Sequence, residues 1–165
     1  MRIPVESVES IKNRYYVREI LEVGAVDKML ELEVPNAKTI LMEKANKCDE
    51  VELTGPESFK VFADKHTDLH LTIATLSGNP LLFRELNRLN FRSMMLSNSK
   101  CGWEMQGESL IALHHQDFIH AIFSPNRSEA LQAVREHVRR GCAMELATLA
   151  KLNQIQEAEN CSTTF

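Results

Sequence analysis

The chain has 165 residues, 44% of them hydrophobic, and a formal net charge of −4. That length and apolar content suit one domain with its own core, and the mixed, mildly acidic charge excludes the basic footprint of a nucleic-acid reader. The four cysteines, Cys48, Cys101, Cys142 and Cys161, make no Cys-x-x-Cys pair, which argues against a thiolate zinc site, gives no disulfide framework and fits a reducing cytosol.

Six helical segments and almost no strand signal follow in chain order. The first runs from about Val8 to Leu32 and stops before Pro35, because the residue ahead of a proline disfavours helix. A short second segment covers about Asn36 to Lys47 and ends in a Cys-Asp-Glu linker. The third opens after Thr54-Gly55-Pro56, with proline suited to the first helical turn. It ends at Ser77-Gly78-Asn79-Pro80, a strong stop. The fourth spans about Leu81 to Ser97, and a loop around Lys100 to Trp103 leads to a fifth from about Gln106 to Phe123. Ser124-Pro125-Asn126 breaks the chain before a long sixth helix to about Gln156. The expected architecture is all-α, an antiparallel bundle of about six helices enclosing a central ligand or metal cavity. Its organisation reads as a lead over 1–7, a helical domain over 8–156 and a polar, frayed tail over 157–165.

Histidine placement carries the chemistry. Phe59, Phe62, His66, Leu69, Ile73 and Leu76 recur at steps of three and four, the spacing of one buried helix face, and His70 lies one turn beyond His66. Ile111, His115, Phe118 and Ile122 repeat the pattern, as do Ala130, Val134, His137, Gly141 and Met144. A lone inward histidine is usually a core residue bonded to a backbone carbonyl. Four of the chain's six histidines on apolar stripes point instead to a divalent cation, which satisfies several buried neutral imidazoles at once. His114 and His120 fall off the stripe beside Asp117 and read as solvated. The line Arg84, Arg88, Arg92 reads as a solvated face or a subunit contact.

These spacings resemble a known family. His70, followed by Leu-Thr-Ile-Ala-Thr-Leu-Ser-Gly-Asn-Pro, is similar to the signature of the C-terminal effector-binding (FCD) domain in the FadR-like branch of GntR-type transcription regulators, with Leu69 in place of the usual phenylalanine. The segment from His115 to Ala121-Ile122, the segment from Ala130 to His137, and Arg18-Glu-Ile-Leu-Glu22 resemble three further family elements. The resemblance implies a helical bundle that binds a small carboxylate effector, commonly through a metal held by one aspartate and three histidines. His70, His115 and His137 map onto the histidines, and His66 stands at the aspartate position. Four imidazoles would leave both charges of a divalent ion for an external anion, and nitrogen ligation favours zinc, nickel or copper over manganese or magnesium, with zinc or nickel expected. Asp64 and Asp68 point off the histidine face and cannot readily replace the missing aspartate.

Arg18 is the expected effector contact, since a guanidinium donates two parallel bonds to a carboxylate. It shares a line with Tyr15, Glu22, Ala25 and Met29; the alternative is an exposed ion pair with Glu22. Asn79 is a second effector candidate, with helix capping as its plainer role. The family's winged helix-turn-helix has no counterpart ahead of Val8, so DNA binding is expected only through a domain outside this chain. A homodimer follows from paired half-sites. No stretch approaches the roughly 20 apolar residues that span a bilayer, so a cytoplasmic location without a membrane partner is expected. Catalysis is not, because no His-Glu-x-x-His motif is present. The alternatives are a metal-dependent hydrolase and a metal-free dimerisation module.

Overall fold

The computed structural model describes residues 7–89 and 114–162, which hold six α-helices. They are α1 (Val8–Glu31), α2 (Ala37–Asp49), α3 (Pro56–Leu76), α4 (Pro80–Arg88), α5 (His115–Ile122) and α6 (Arg127–Ser162). Among the described residues there is no strand.

Local chemistry sets several of the helix ends. Ser7 Oγ accepts from the Ser10 amide at 3.1 Å and starts α1, satisfying one of the amides a helix leaves unpaired at its N-terminus. Ser58 Oγ accepts from the Gly55 amide at 3.1 Å ahead of α3, and Asn126 Oδ1 takes the Ser128 amide at 3.0 Å as α6 begins. Gly78 ends α3 at φ +65°, where a Cβ would also meet Leu32 Cδ1 at 3.1 Å; both the backbone and the space require glycine.

Three boundaries differ from the sequence expectation. The fourth helix does not continue to Ser97: α4 ends at Arg88 with Leu89 as its C-cap, and residues 90–97 lie outside the described residues. The fifth helix does not run unbroken from Gln106, because His114 has a non-helical backbone and α5 starts at His115; residues 106–113 lie outside the described residues. The sixth helix does not stop near Gln156 but runs to Ser162. Nothing after Gly141 is a glycine or proline, so no residue there opposes helix strongly enough to end it.

The helices pack as a closed ring, α1 on α6, α6 on α5, α5 on α2, α2 on α3 and α3 on α1, with α4 across α1 and α3. The stripes expected to be inward are inward over most of their described length, with Leu76, Gly141 and Met144 half-buried and Ile111 outside the described residues. Phe59, Leu69 and Ile73 of α3, Phe118 and Ile122 of α5, and Ala130 and Val134 of α6 are buried. Each large apolar side chain so buried stabilises the fold by about 1.5–3 kcal/mol. Within that apolar ring lies a group of buried polar side chains from α1, α3, α5 and α6: Arg18, Glu22, His66, His70, His115 and His137. Among the described residues no helix is long and apolar enough to cross a membrane.

Candidate metal centre

α3 presents His66 and His70 one turn apart, and α6 brings His137 against them. All three rings are at least nine-tenths buried, and one nitrogen of each lies within 4.8 Å of the others. His70 Nε2 is the focus, 3.1 Å from His66 Nε2 and 3.3 Å from His137 Nε2. Tetrahedral metal–nitrogen bonds of about 2.0–2.1 Å place ligand nitrogens about 3.3 Å apart.

Hydrogen bonding alone does not satisfy this arrangement. The Glu22 carboxylate lies 2.8 Å from His70 Nδ1, which donates to it, so Nε2 of that ring carries a single lone pair. Three groups converge on it: the two imidazole nitrogens, and Arg18 Nη2 at 3.4 Å. One lone pair accepts well from one donor, whereas a cation accepts a lone pair from every ring. The donor set therefore fits a borderline divalent ion.

Glu22 and Arg18, one turn apart on α1, supply the balancing charges. Arg18 Nε donates to Glu22 Oε1 while the other carboxylate oxygen holds His70. Burial by itself would raise the Glu22 carboxyl, but Arg18 and then His70 overcome it and hold it far below the usual carboxylate range. The guanidinium also lies over the Tyr15 ring, 5.4 Å from its centroid. Gly141 on α6 makes this possible, since a Cβ there would sit 3.3 Å from Tyr15 Cε1 and 3.7 Å from Arg18 Nη1. Burial first, then neighbouring imidazoles, push His66 and His137 well below the ordinary histidine value. Burial lowers His70 too, against the opposing pull of Glu22. Neutral rings are the form that ligates metal.

Aromatic rings fix the imidazole planes. Phe118 stacks on His137 with centroids 4.2 Å apart and an interplanar angle of 17°, and Phe62 stacks on His66 at 5.7 Å. His115 stands beside the group of three, its ring 5.2 Å from that of His66 and 5.7 Å from that of His137. Its Nδ1 donates to Asp49 Oδ1 at 2.7 Å. Its Nε2 is buried without a hydrogen-bond partner, as is Nδ1 of His66.

A family model for the FCD domain, the C-terminal effector-binding domain of GntR-family regulators, matches residues 14–140. The chain belongs to the FCD family. No curated protein and no solved structure matches it. FCD domains are regulatory domains that bind small-molecule effectors, often hold a metal, and act together with a DNA-binding domain.

In this FCD domain the expected site residues separate into two places. His66, His70 and His137 come together, with His115 alongside and Arg18 at the edge, whereas Asn79 is remote from them in role. Its Oδ1 accepts from the Leu81 amide at 3.0 Å and caps α4, and it borders a shallow apolar groove of about 400 Å³ with Ala74, Thr75 and Phe83. His114 and His120 are exposed, as are Asp64 and Asp68. Arg84 and Arg88 are exposed and paired with Glu85, while Arg92 and Cys101 lie outside the described residues. Cys48 is buried, and burial pushes its thiol up to about 12, so no thiolate forms there at neutral pH.

Sequence reasoning missed two acids. Glu22 was visible as a partner of Arg18 and as a member of its stripe, yet nothing local connects it to His70, 48 positions away. Asp49 sat in a polar linker, and its contact with His115 spans 66 positions.

Proposed function

We propose that this FCD domain, of the FadR-like kind, senses a small carboxylate effector through a divalent transition metal, zinc or nickel, held by His66, His70, His115 and His137. The observation that carries this reading is the approach of His66 Nε2 and His137 Nε2 to His70 Nε2, at 3.1 and 3.3 Å, with one nitrogen of each of the three rings within 4.8 Å of the others. Charge supports the anion. Arg18 and Glu22 cancel, the imidazoles are neutral, and a divalent ion adds two positive charges to a buried site. A carboxylate bound at the metal neutralises part of that charge and meets the Arg18 guanidinium, which can donate to it.

An effector that prefers one arrangement of the α1, α3 and α6 side chains shifts the bundle toward it. In the proposed regulator that shift reaches DNA through a winged-helix domain outside this chain, in a cytoplasmic homodimer with paired readers. Catalysis is not part of the proposal. The acids that touch the imidazoles, buried Glu22 and half-buried Asp49, are already committed, Glu22 to Arg18 and His70, Asp49 to His115 and the start of α5.

Elemental mass spectrometry of the purified protein tests the reading, beside a His70→Ala, His115→Ala double variant. About one transition-metal ion per chain, lost in the variant, is the expected result. Mono-, di- and tricarboxylates and sugar acids are then screened by thermal shift. A protein that takes no metal under any loading condition overturns the metal-based reading.

A further inference from the structure

Asp49 is the last residue of α2, yet its carboxylate is spent on the start of α5. Oδ1 accepts from the His115 amide at 3.1 Å and from the His115 ring Nδ1 at 2.7 Å, and Oδ2 accepts from the Gln116 amide at 3.0 Å. α5 has no side-chain cap of its own, since His114 makes no capping bond. One acid from a different helix therefore caps α5 and grips the ring of its first residue. The grip decides the tautomer: with the proton on Nδ1, Nε2 keeps a lone pair. That lone pair is buried without a hydrogen-bond partner, next to three imidazoles gathered around one point.

We propose that Asp49 is a positioning residue of the metal centre, which sets the tautomer and seat of His115 so that its Nε2 becomes the fourth nitrogen ligand. This rests on the metal reading above. It adds that the centre is tied to the junction of α2 with α5, two helices that contribute none of the other three imidazoles. A cap alone would need only an acceptor for backbone amides. The shortest of the three bonds instead goes to the ring, the pattern by which a carboxylate orients a metal-bound histidine.

The test is a zinc titration against a chromophoric chelator for the wild-type chain, Asp49→Asn, His115→Ala and the double variant, with circular dichroism to verify folding. Asp49→Asn is expected to weaken zinc by roughly 10–100-fold. In the His115→Ala background the same change is expected to do almost nothing, because its effect passes through the missing ring. Asp49→Ser is a second variant, which keeps an oxygen for the α5 amides but no charge for the imidazole, and is expected to fold with weakened zinc binding. Long-range nitrogen–proton spectra of the metal-free protein are expected to place the His115 proton on Nδ1 in the wild type and to lose that preference in Asp49→Ser. Wild-type zinc affinity in both Asp49 variants, or an equal loss with and without His115, makes Asp49 a cap only and overturns the proposal. A wild-type chain that takes no zinc overturns the proposal together with the metal reading, whereas zinc binding indifferent to Asp49 removes the proposal alone.

Discussion

Glu22 on α1 holds Nδ1 of His70 on α3 at 2.8 Å while its other oxygen takes the Arg18 guanidinium. The carboxylate thus fixes the imidazole at the focus of the cluster and neutralises the cation beside it. Glu22→Gln removes the charge at nearly constant volume and leaves Arg18 buried without its counterion. Loss of one partner from a buried pair costs about 3–5 kcal/mol, which urea denaturation of the metal-free protein is expected to show. Zinc affinity is expected to fall as well, by roughly 10–100-fold, through loss of ligand orientation.

Zinc is expected to raise the unfolding midpoint and a chelator to reverse it. A ligand bound only by the folded state stabilises by about 2.7 kcal/mol at 100 times its dissociation constant. In a His66→Ala, His137→Ala double variant the response should vanish, because two of the three converging nitrogens are gone. A variant that still responds fully would move the metal to other residues.

His66 offers a nitrogen where the family resemblance implies an aspartate oxygen. His66→Asp is therefore expected to shift metal preference toward manganese, since oxygen is the harder ligand. It is also expected to weaken carboxylate binding, because one positive charge of the ion is then cancelled internally. Competition between zinc and manganese, followed by effector titration with each metal loaded, measures both.

Metal-free stability is expected to fall as the pH drops below about 6.5. His66, His70 and His137 have folded values below the unfolded one, burial being the main cause. The unfolded chain then binds protons that the folded chain refuses. The stability these neutral rings represent is complete above the unfolded value and is lost as pH falls, with a limit of about 1.4 kcal/mol per pH unit for each ring. Glu22, also depressed, adds a further loss that begins only near the unfolded carboxyl value of about 4.3. Urea midpoints between pH 8 and 4, measured with chelator present, give the slope; a flat profile would contradict it.

Gly141→Ala introduces a methyl group 3.3 Å from Tyr15 Cε1. Alanine favours a helix interior over glycine by about 1 kcal/mol, and displacement of the buried tyrosine offsets that gain. Net stability is expected to change by less than about 1 kcal/mol. Arg18, 3.7 Å from the same Cβ position, moves with Tyr15, so weakened carboxylate binding at unchanged zinc affinity is the expected signature.

Periodicity alone determined which faces turn inward, because burial of one apolar stripe per helix leaves a repeat of three and four in the chain. It put Tyr15, Arg18 and Glu22 on one line and four histidines on others, and all seven are buried. The stop at Gly78 was equally legible, since a positive φ beside a crowded Leu32 admits little else. What periodicity could not contain is the distance between stripes on different helices. Packing decided that His66, His70 and His137 share one point while His115 stands just outside their group. Only the fold brought Glu22 to His70 and Asp49 to His115. A hydrogen bond needs atoms within about 3 Å, and a pairing across many tens of residues leaves no local pattern for a sequence to display.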